Sequence, residues 1–199
     1  MNPSISRALF LVAGCICFRL ASGAFPEALP NISPMIAVAL VGAMYLPRTW
    51  GWLVGPVVLL VTDAAFLATN ERALGHMFSW WTLVALAFYA LAGGLGVLLA
   101  RHRSLLNIAG ASIGCSIAFY VLANTLAWWT STTTNPGYLP TFAGWWQANT
   151  VGLPGFQPTW TFLRNGLLGD LFFCGVLVAV FDRDLLLHPL RPRAKAVAA

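Results

Sequence analysis

Residues 75–100, GHMFSWWTLVALAFYALAGGLGVLLA, contain no Asp, Glu, Lys or Arg. A run of that length and composition exceeds the roughly 20 apolar residues that carry a helix across the hydrocarbon core of a bilayer. It reads as a transmembrane helix, and the rest of the chain has the same character. Of 199 residues, 59% are hydrophobic and 9% are charged, whereas soluble domains carry about 25% charged residues. That much apolar surface does not fit inside one soluble core. The composition leaves room for neither a separate soluble domain nor a basic, aromatic-interleaved surface for nucleic acid.

Apolar runs bounded by Pro, Gly and charge clusters extend the pattern in both directions. They predict an all-α integral membrane protein with a single domain, 1–199, and six transmembrane helices near 5–22, 33–47, 50–69, 75–100, 105–130 and 159–181. The Trp- and Phe-bearing stretch 132–158 is expected to be an outer loop lying against the helices. Two stretches resemble processing sites, Val12-Ala13-Gly14-Cys15 and Ala21-Ser22-Gly23-Ala24. The short apolar run before Cys15 and the charge of Arg19 disfavour both, so the first helix is expected to be retained.

Basic residues orient this layout. Arg7, Arg48, Arg101, Arg103, Arg183, Arg191, Arg193 and Lys195 fall on one side, and Arg72 alone on the other. By the positive-inside rule both termini are cytoplasmic. The nine Trp residues are biased the opposite way: only Trp50 and Trp52 lie inside, whereas Trp80, Trp81, Trp128, Trp129, Trp145, Trp146 and Trp160 lie at the outer end. A belt alone places aromatic residues at both interfaces. The excess suggests an outward cavity walled by indoles, with interfacial packing as the plainer reading of any single ring.

Asp63 and Asp170 interrupt apolar helices, where a charged group at mid-membrane costs about 2.5–3.5 kcal/mol on insertion scales. Each must face protein or water. Arg164 precedes Asp170 by six residues, outside the usual helical pairing distance, so a partner on another helix is expected. The alternatives are a carboxylate that fixes helix packing and one that touches a ligand. His76 opens the fourth span at the outer end, and a single His suffices as a metal ligand only where a macrocycle already holds the metal. Asn31 and Asn124 add neutral hydrogen-bonding groups. Cys15, Cys17, Cys115 and Cys174 form no disulfide framework, and no hydrolytic, redox or nucleotide-binding motif occurs, so no enzymatic activity and no intrinsic cofactor are expected.

Several stretches together carry a resemblance. Asn31-Ile32-Ser33-Pro34 with Ala37, Ala39, Leu40 and Gly42, then Thr62-Asp63, Asn124 with Trp128, Tyr138, Pro140-Thr141, Gly144, and Asn165 through Leu171 occur in the order found in the S-components of energy-coupling-factor vitamin transporters. The chain resembles that family over most of its length, nearest to the solitary, BtuM-like cobalamin-uptake group. The resemblance implies an S-component-like bundle, a substrate cavity open to the outside and an energy-coupling membrane subunit as partner. Some of those proteins bind cobalt through a cysteine near the start of the fourth helix. Here Leu74 to Trp80 reads LGHMFSW, without cysteine, and His76 is the candidate axial ligand to a substrate-borne cobalt.

The functional expectation is uptake of a vitamin-like molecule, cobalamin or another corrinoid, through a bacterial inner membrane. Trp80, Trp81, Trp128, Trp145 and Trp146 would wall the cavity, and Asn31, Asp63, Asn124 and Arg164 would anchor polar groups. The alternative is an accessory membrane subunit whose Trp pairs and slim first helix pack against another protein. A membrane enzyme using Asp63 and Asp170 as a pair is the weakest alternative, because the two differ in depth by roughly 8 Å at the helical rise.

Overall fold

The computed structural model describes residues 3–24, 32–67, 79–131 and 137–187, and among them all regular structure is helical. The elements are α1 (Pro3–Ala24), α2 (Met35–Ala37) continuing into a π-helical turn (Val38–Gly42), a 3-10 turn (Gly51–Leu53), α3 (Val54–Leu67), α4 (Trp80–Leu99), α5 (Leu105–Ser131), α6 (Phe142–Ala148), α7 (Trp160–Phe181) and α8 (Arg183–Leu187).

Three helices among the described residues are long and apolar enough to cross a membrane: α4, α5 and α7. This overturns the expectation of six transmembrane helices, and with it the S-component-like bundle. Among the described residues the first and third expected spans hold shorter apolar helical stretches, Ser6–Phe18 and Gly51–Ala65. The second, 33–47, fails for another reason. Its helical residues, 35–44, cover about 15 Å at 1.5 Å per residue, half of a hydrocarbon core of about 30 Å. They are also buried throughout, with Ala37, Ala39, Leu40 and Val41 fully enclosed. This segment is apolar because it is the core of the bundle, surrounded by protein. The six-span layout on which the positive-inside rule placed both termini in the cytoplasm falls with it.

What surrounds that core is lipid-facing. Leu83, Leu91 and Leu98 on α4, Leu106 on α5, and Leu168 and Phe172 on α7 are all exposed. On a chain with three membrane-capable helices these faces suit contact with acyl chains, and the protein is a multi-pass membrane protein. α5 packs most extensively on α7, while α4 lies across the π-helical and 3-10 turns. The close approach of α4 is set by Gly93 and Gly96. A Cβ at Gly96 would overlap the Leu40 carbonyl oxygen, and one at Gly93 the Trp52 carbonyl oxygen.

One end of the bundle gathers the arginines. Arg7 Nη1 donates to the Tyr45 carbonyl at 3.2 Å, and its guanidinium lies 6.0 Å from the Phe181 ring centre. The Tyr45 hydroxyl donates to Asp182 Oδ2 at 3.2 Å, and Arg103 lies 3.8 Å from the same oxygen and 5.0 Å over the Tyr45 ring. These contacts bring the start of α1, the turn after the π-helix, the α4–α5 turn and the end of α7 together. Of the basic residues grouped by the sequence, Arg7 and Arg103 thus lie at one end of the bundle.

Burial first, and the Asp182 carboxylate second, push the Tyr45 phenol from 10.0 up to about 12. The folded value lies above the unfolded one of about 10. The neutral phenol therefore stabilises the fold fully below pH of about 10, and that contribution is lost as pH rises through about 12. A spectrophotometric titration should find one tyrosine ionising near pH 12, and Tyr45→Phe should remove that step. A titration in which all tyrosines ionise together near pH of about 10 would contradict the buried contact.

Candidate ligand pocket

Three helices and the start of a fourth face each other around a cavity of about 220 Å³. α5 contributes Ser116, Phe119, Tyr120, Ala123 and Asn124, which recur three and four residues apart and so share one helical face. α7 contributes Phe162, Leu163, Gly166 and Asp170 at the same kind of spacing, α4 contributes Tyr89, and the entry to α2 contributes Ser33, Met35 and Ile36. The α2 segment reaches this depth because it is only half a span long. Gly169 lets it in: a Cβ there would stand 3.0 Å from Ile32 Cγ2.

Asp170 sits at the middle of α7 and is 4% exposed. Its Oδ2 accepts from Ser116 Oγ at 2.6 Å. Ser116 also lies 2.9 Å from the Ser112 carbonyl, one turn earlier on α5, so a single hydroxyl proton faces two acceptors. The partner of the carboxylate thus comes from another helix, as its spacing from Arg164 required. Ser116 is the hydrogen-bond partner of Asp170 among the described residues, and an ionised carboxylate accepts about four such bonds. The side chain therefore has acceptor capacity to spare where it lines the cavity. No Lys, Arg or His is among the described lining residues.

The aromatic wall is made of Tyr89, Phe119, Tyr120 and Phe162. Tyr89 and Phe119 stack with ring centres 5.8 Å apart. The Tyr120 hydroxyl donates to the Asn149 carbonyl at 2.7 Å, tying the pocket wall to the end of α6.

Of the residues proposed from sequence, Asn124 alone among those described lines this cavity, and its Nδ2 donates to the Tyr120 carbonyl at 2.9 Å. Asn31 and His76 lie outside the described residues. Asp63 is half-buried on α3 and is not among the lining residues. Arg164 is exposed, with its guanidinium 5.6 Å over the Trp160 ring and its Nε 3.2 Å from Asn165 Oδ1.

The indoles have other tasks. Trp128 Nε1 donates to the Leu139 carbonyl at 2.9 Å, and Trp145 Nε1 donates to Thr125 Oγ1 at 2.9 Å, so both clamp the segment around α6 onto α5. Trp80 and Trp81 stack on each other at 4.8 Å, and Trp146 is exposed. None of these rings is among the described lining residues of the cavity around Asp170. Sequence reasoning missed Ser116, Phe119, Tyr120 and Tyr89. The available signal was Ser116, Tyr120 and Asn124 at intervals of four on an otherwise apolar helix.

The corrinoid assignment is corrected here. Benzene fills an engineered cavity of about 150 Å³, so this cavity of about 220 Å³ is not a corrin site. Among the described residues no cluster of three or more His, Cys, Asp or Glu could hold a metal ion. The vitamin-transporter resemblance fails because three helices, not six, are long and apolar enough to cross a membrane among the described residues.

No curated protein and no solved structure matches the chain. A family model does match, over residues 1–185, and by that match the chain belongs to the family of unknown function DUF6580.

Proposed function

We propose that this protein binds a small molecule in the pocket between α2, α4, α5 and α7 and serves its uptake across a bacterial inner membrane, without covalent chemistry. The observation that carries this reading is the Asp170–Ser116 pair, placed in a ring-lined cavity at the middle of membrane-capable helices. Ionisable groups at that depth are expensive, and they mark substrate or ion paths when they face a cavity. The half-length α2 supports the same reading. A chain that enters the bundle part-way needs protein or a lined cavity around its irregular backbone, and Ser33 to Ile36 have both.

Gly166 supplies the test. It lies on the cavity wall, and a Cβ there meets no atom within 4 Å, so a side chain can begin there without backbone conflict, and Gly166→Leu improves helix propensity by up to about 1 kcal/mol. Small molecules extracted from the purified parent protein should include a species that is absent from purified, equally monodisperse Gly166→Leu. Cells carrying Gly166→Leu should also accumulate less of it, by tenfold or more. Identical extracts and identical accumulation would remove the pocket from the function.

A further inference from the structure

Resting on that pocket reading, we infer that its ligand is a small organic cation, an ammonium or protonated nitrogen heterocycle built on about one ring. Four observations converge on this class. Asp170 is the one formal charge in the described lining, and no basic side chain accompanies it there. An anion would meet the carboxylate with nothing to neutralise it, and unpaired like charges in a site of low dielectric are strongly disfavoured. Tyr89, Phe119, Tyr120 and Phe162 stand among the otherwise neutral lining residues, and the faces of Tyr and Phe rings attract cations, more strongly when the pair is desolvated.

Size and donor chemistry narrow the class further. A volume of about 220 Å³ admits one ring and a short substituent by comparison with the benzene cavity of about 150 Å³. A bare divalent cation favours several carboxylate ligands, and Asp170 is the one carboxylate in the described lining. Ser116 fixes Oδ2 at 2.6 Å, which leaves the carboxylate oriented and able to accept from an N–H donor, a charge-assisted bond roughly twice as strong as a neutral one. The carboxylate thus selects charge, and the rings select a flat, partly apolar body.

The test uses three probes of nearly equal shape, benzylammonium, benzyl alcohol and benzoate, titrated calorimetrically into the full chain in lipid nanodiscs at neutral pH. Benzylammonium should bind at least tenfold more tightly than benzyl alcohol, and benzoate should not bind. In Asp170→Asn the preference for benzylammonium over benzyl alcohol should fall to within about twofold, while benzyl alcohol itself still binds. Should Asp170→Asn not fold, charge selectivity in the parent protein decides alone.

If benzyl alcohol or benzoate binds as tightly as benzylammonium in the parent, or if a folded Asp170→Asn keeps the preference, the cation assignment is wrong. The pocket reading would survive provided Gly166→Leu still blocks the probe. Failure of all three probes to bind the parent overturns the cation assignment, and the extraction comparison with Gly166→Leu then decides the pocket reading by itself.

Discussion

Gly96→Ala is expected to lower the melting temperature of the detergent-solubilised protein by more than 10 °C and to cut the folded yield severely. The reason is backbone contact. A Cβ at Gly96 would overlap the Leu40 carbonyl oxygen and approach the Leu40 carbonyl carbon to 2.9 Å and Ala43 Cβ to 3.2 Å. No side-chain rotation relieves an overlap with main chain, so α4 would have to move off the π-helical turn. That turn cannot retreat, because Leu40 and Val41 are fully buried. Overpacking a core costs about 1–3 kcal/mol, occasionally more, and an overlap with backbone belongs at or above the upper end. The gain in helix propensity from Gly to Ala, about 1 kcal/mol, does not offset it.

The neighbouring Gly94 is the control. A Cβ at Gly94 meets no atom within 4 Å, so Gly94→Ala collects the propensity gain with no collision and should melt at the same temperature as the parent or slightly higher. Melting of the two variants within about 2 °C of each other would mean that α4 does not rest on the α2 segment as described. Gly93→Ala should behave like Gly96→Ala, because its Cβ would overlap the Trp52 carbonyl oxygen.

These glycines also mark where the sequence could and could not be read. α4 and α5 stand out by length and by the absence of charge, and α7 by length and apolar composition in spite of Arg164 and Asp170, and the two spans placed at 105–130 and 159–181 correspond to Leu105–Ser131 and Trp160–Phe181. The segment 35–44 is equally apolar for a different cause, complete enclosure by other helices. Hydropathy does not distinguish a helix wrapped in lipid from one wrapped in protein, and that ambiguity inflated the count of crossings. Its small residues, among them Ala43 against Gly96 and Ala39 against Gly55, were the sign that backbones meet there.

The site was less legible for a related reason. An indole suits a ligand wall, a membrane interface and a clamp on a loop carbonyl equally well, and here Trp128 and Trp145 take the last role. Ser116 and Tyr120 gave a weaker compositional signal yet sit on the face that encloses space. Asp170 was conspicuous from the start by its cost in lipid. What its sequence neighbourhood left open was whether it holds helices together or faces a ligand.

That question has a decisive test, because the two roles predict opposite changes in stability. Asp170→Leu should abolish benzylammonium binding and leave the melting temperature unchanged or higher. Removing the carboxylate strands no hydrogen-bonding group, since the Ser116 hydroxyl retains the Ser112 carbonyl at 2.9 Å. A leucine is also spared the cost of an acidic residue at mid-span, about 2.5–3.5 kcal/mol on insertion scales. Sites kept for function at the expense of stability commonly respond to mutation in this way, gaining stability as activity is lost. A carboxylate whose task is to join α5 to α7 would do the reverse, because those two helices share the most extensive contact in the bundle. A fall of more than about 5 °C in both Asp170→Leu and Asp170→Asn, each measured against Ser116→Ala, would assign Asp170 to packing. Ser116→Ala distinguishes the cases further. It deletes the only described hydrogen bond of the carboxylate while leaving its charge in the cavity, so on the binding reading it weakens the cation several-fold and does not remove it.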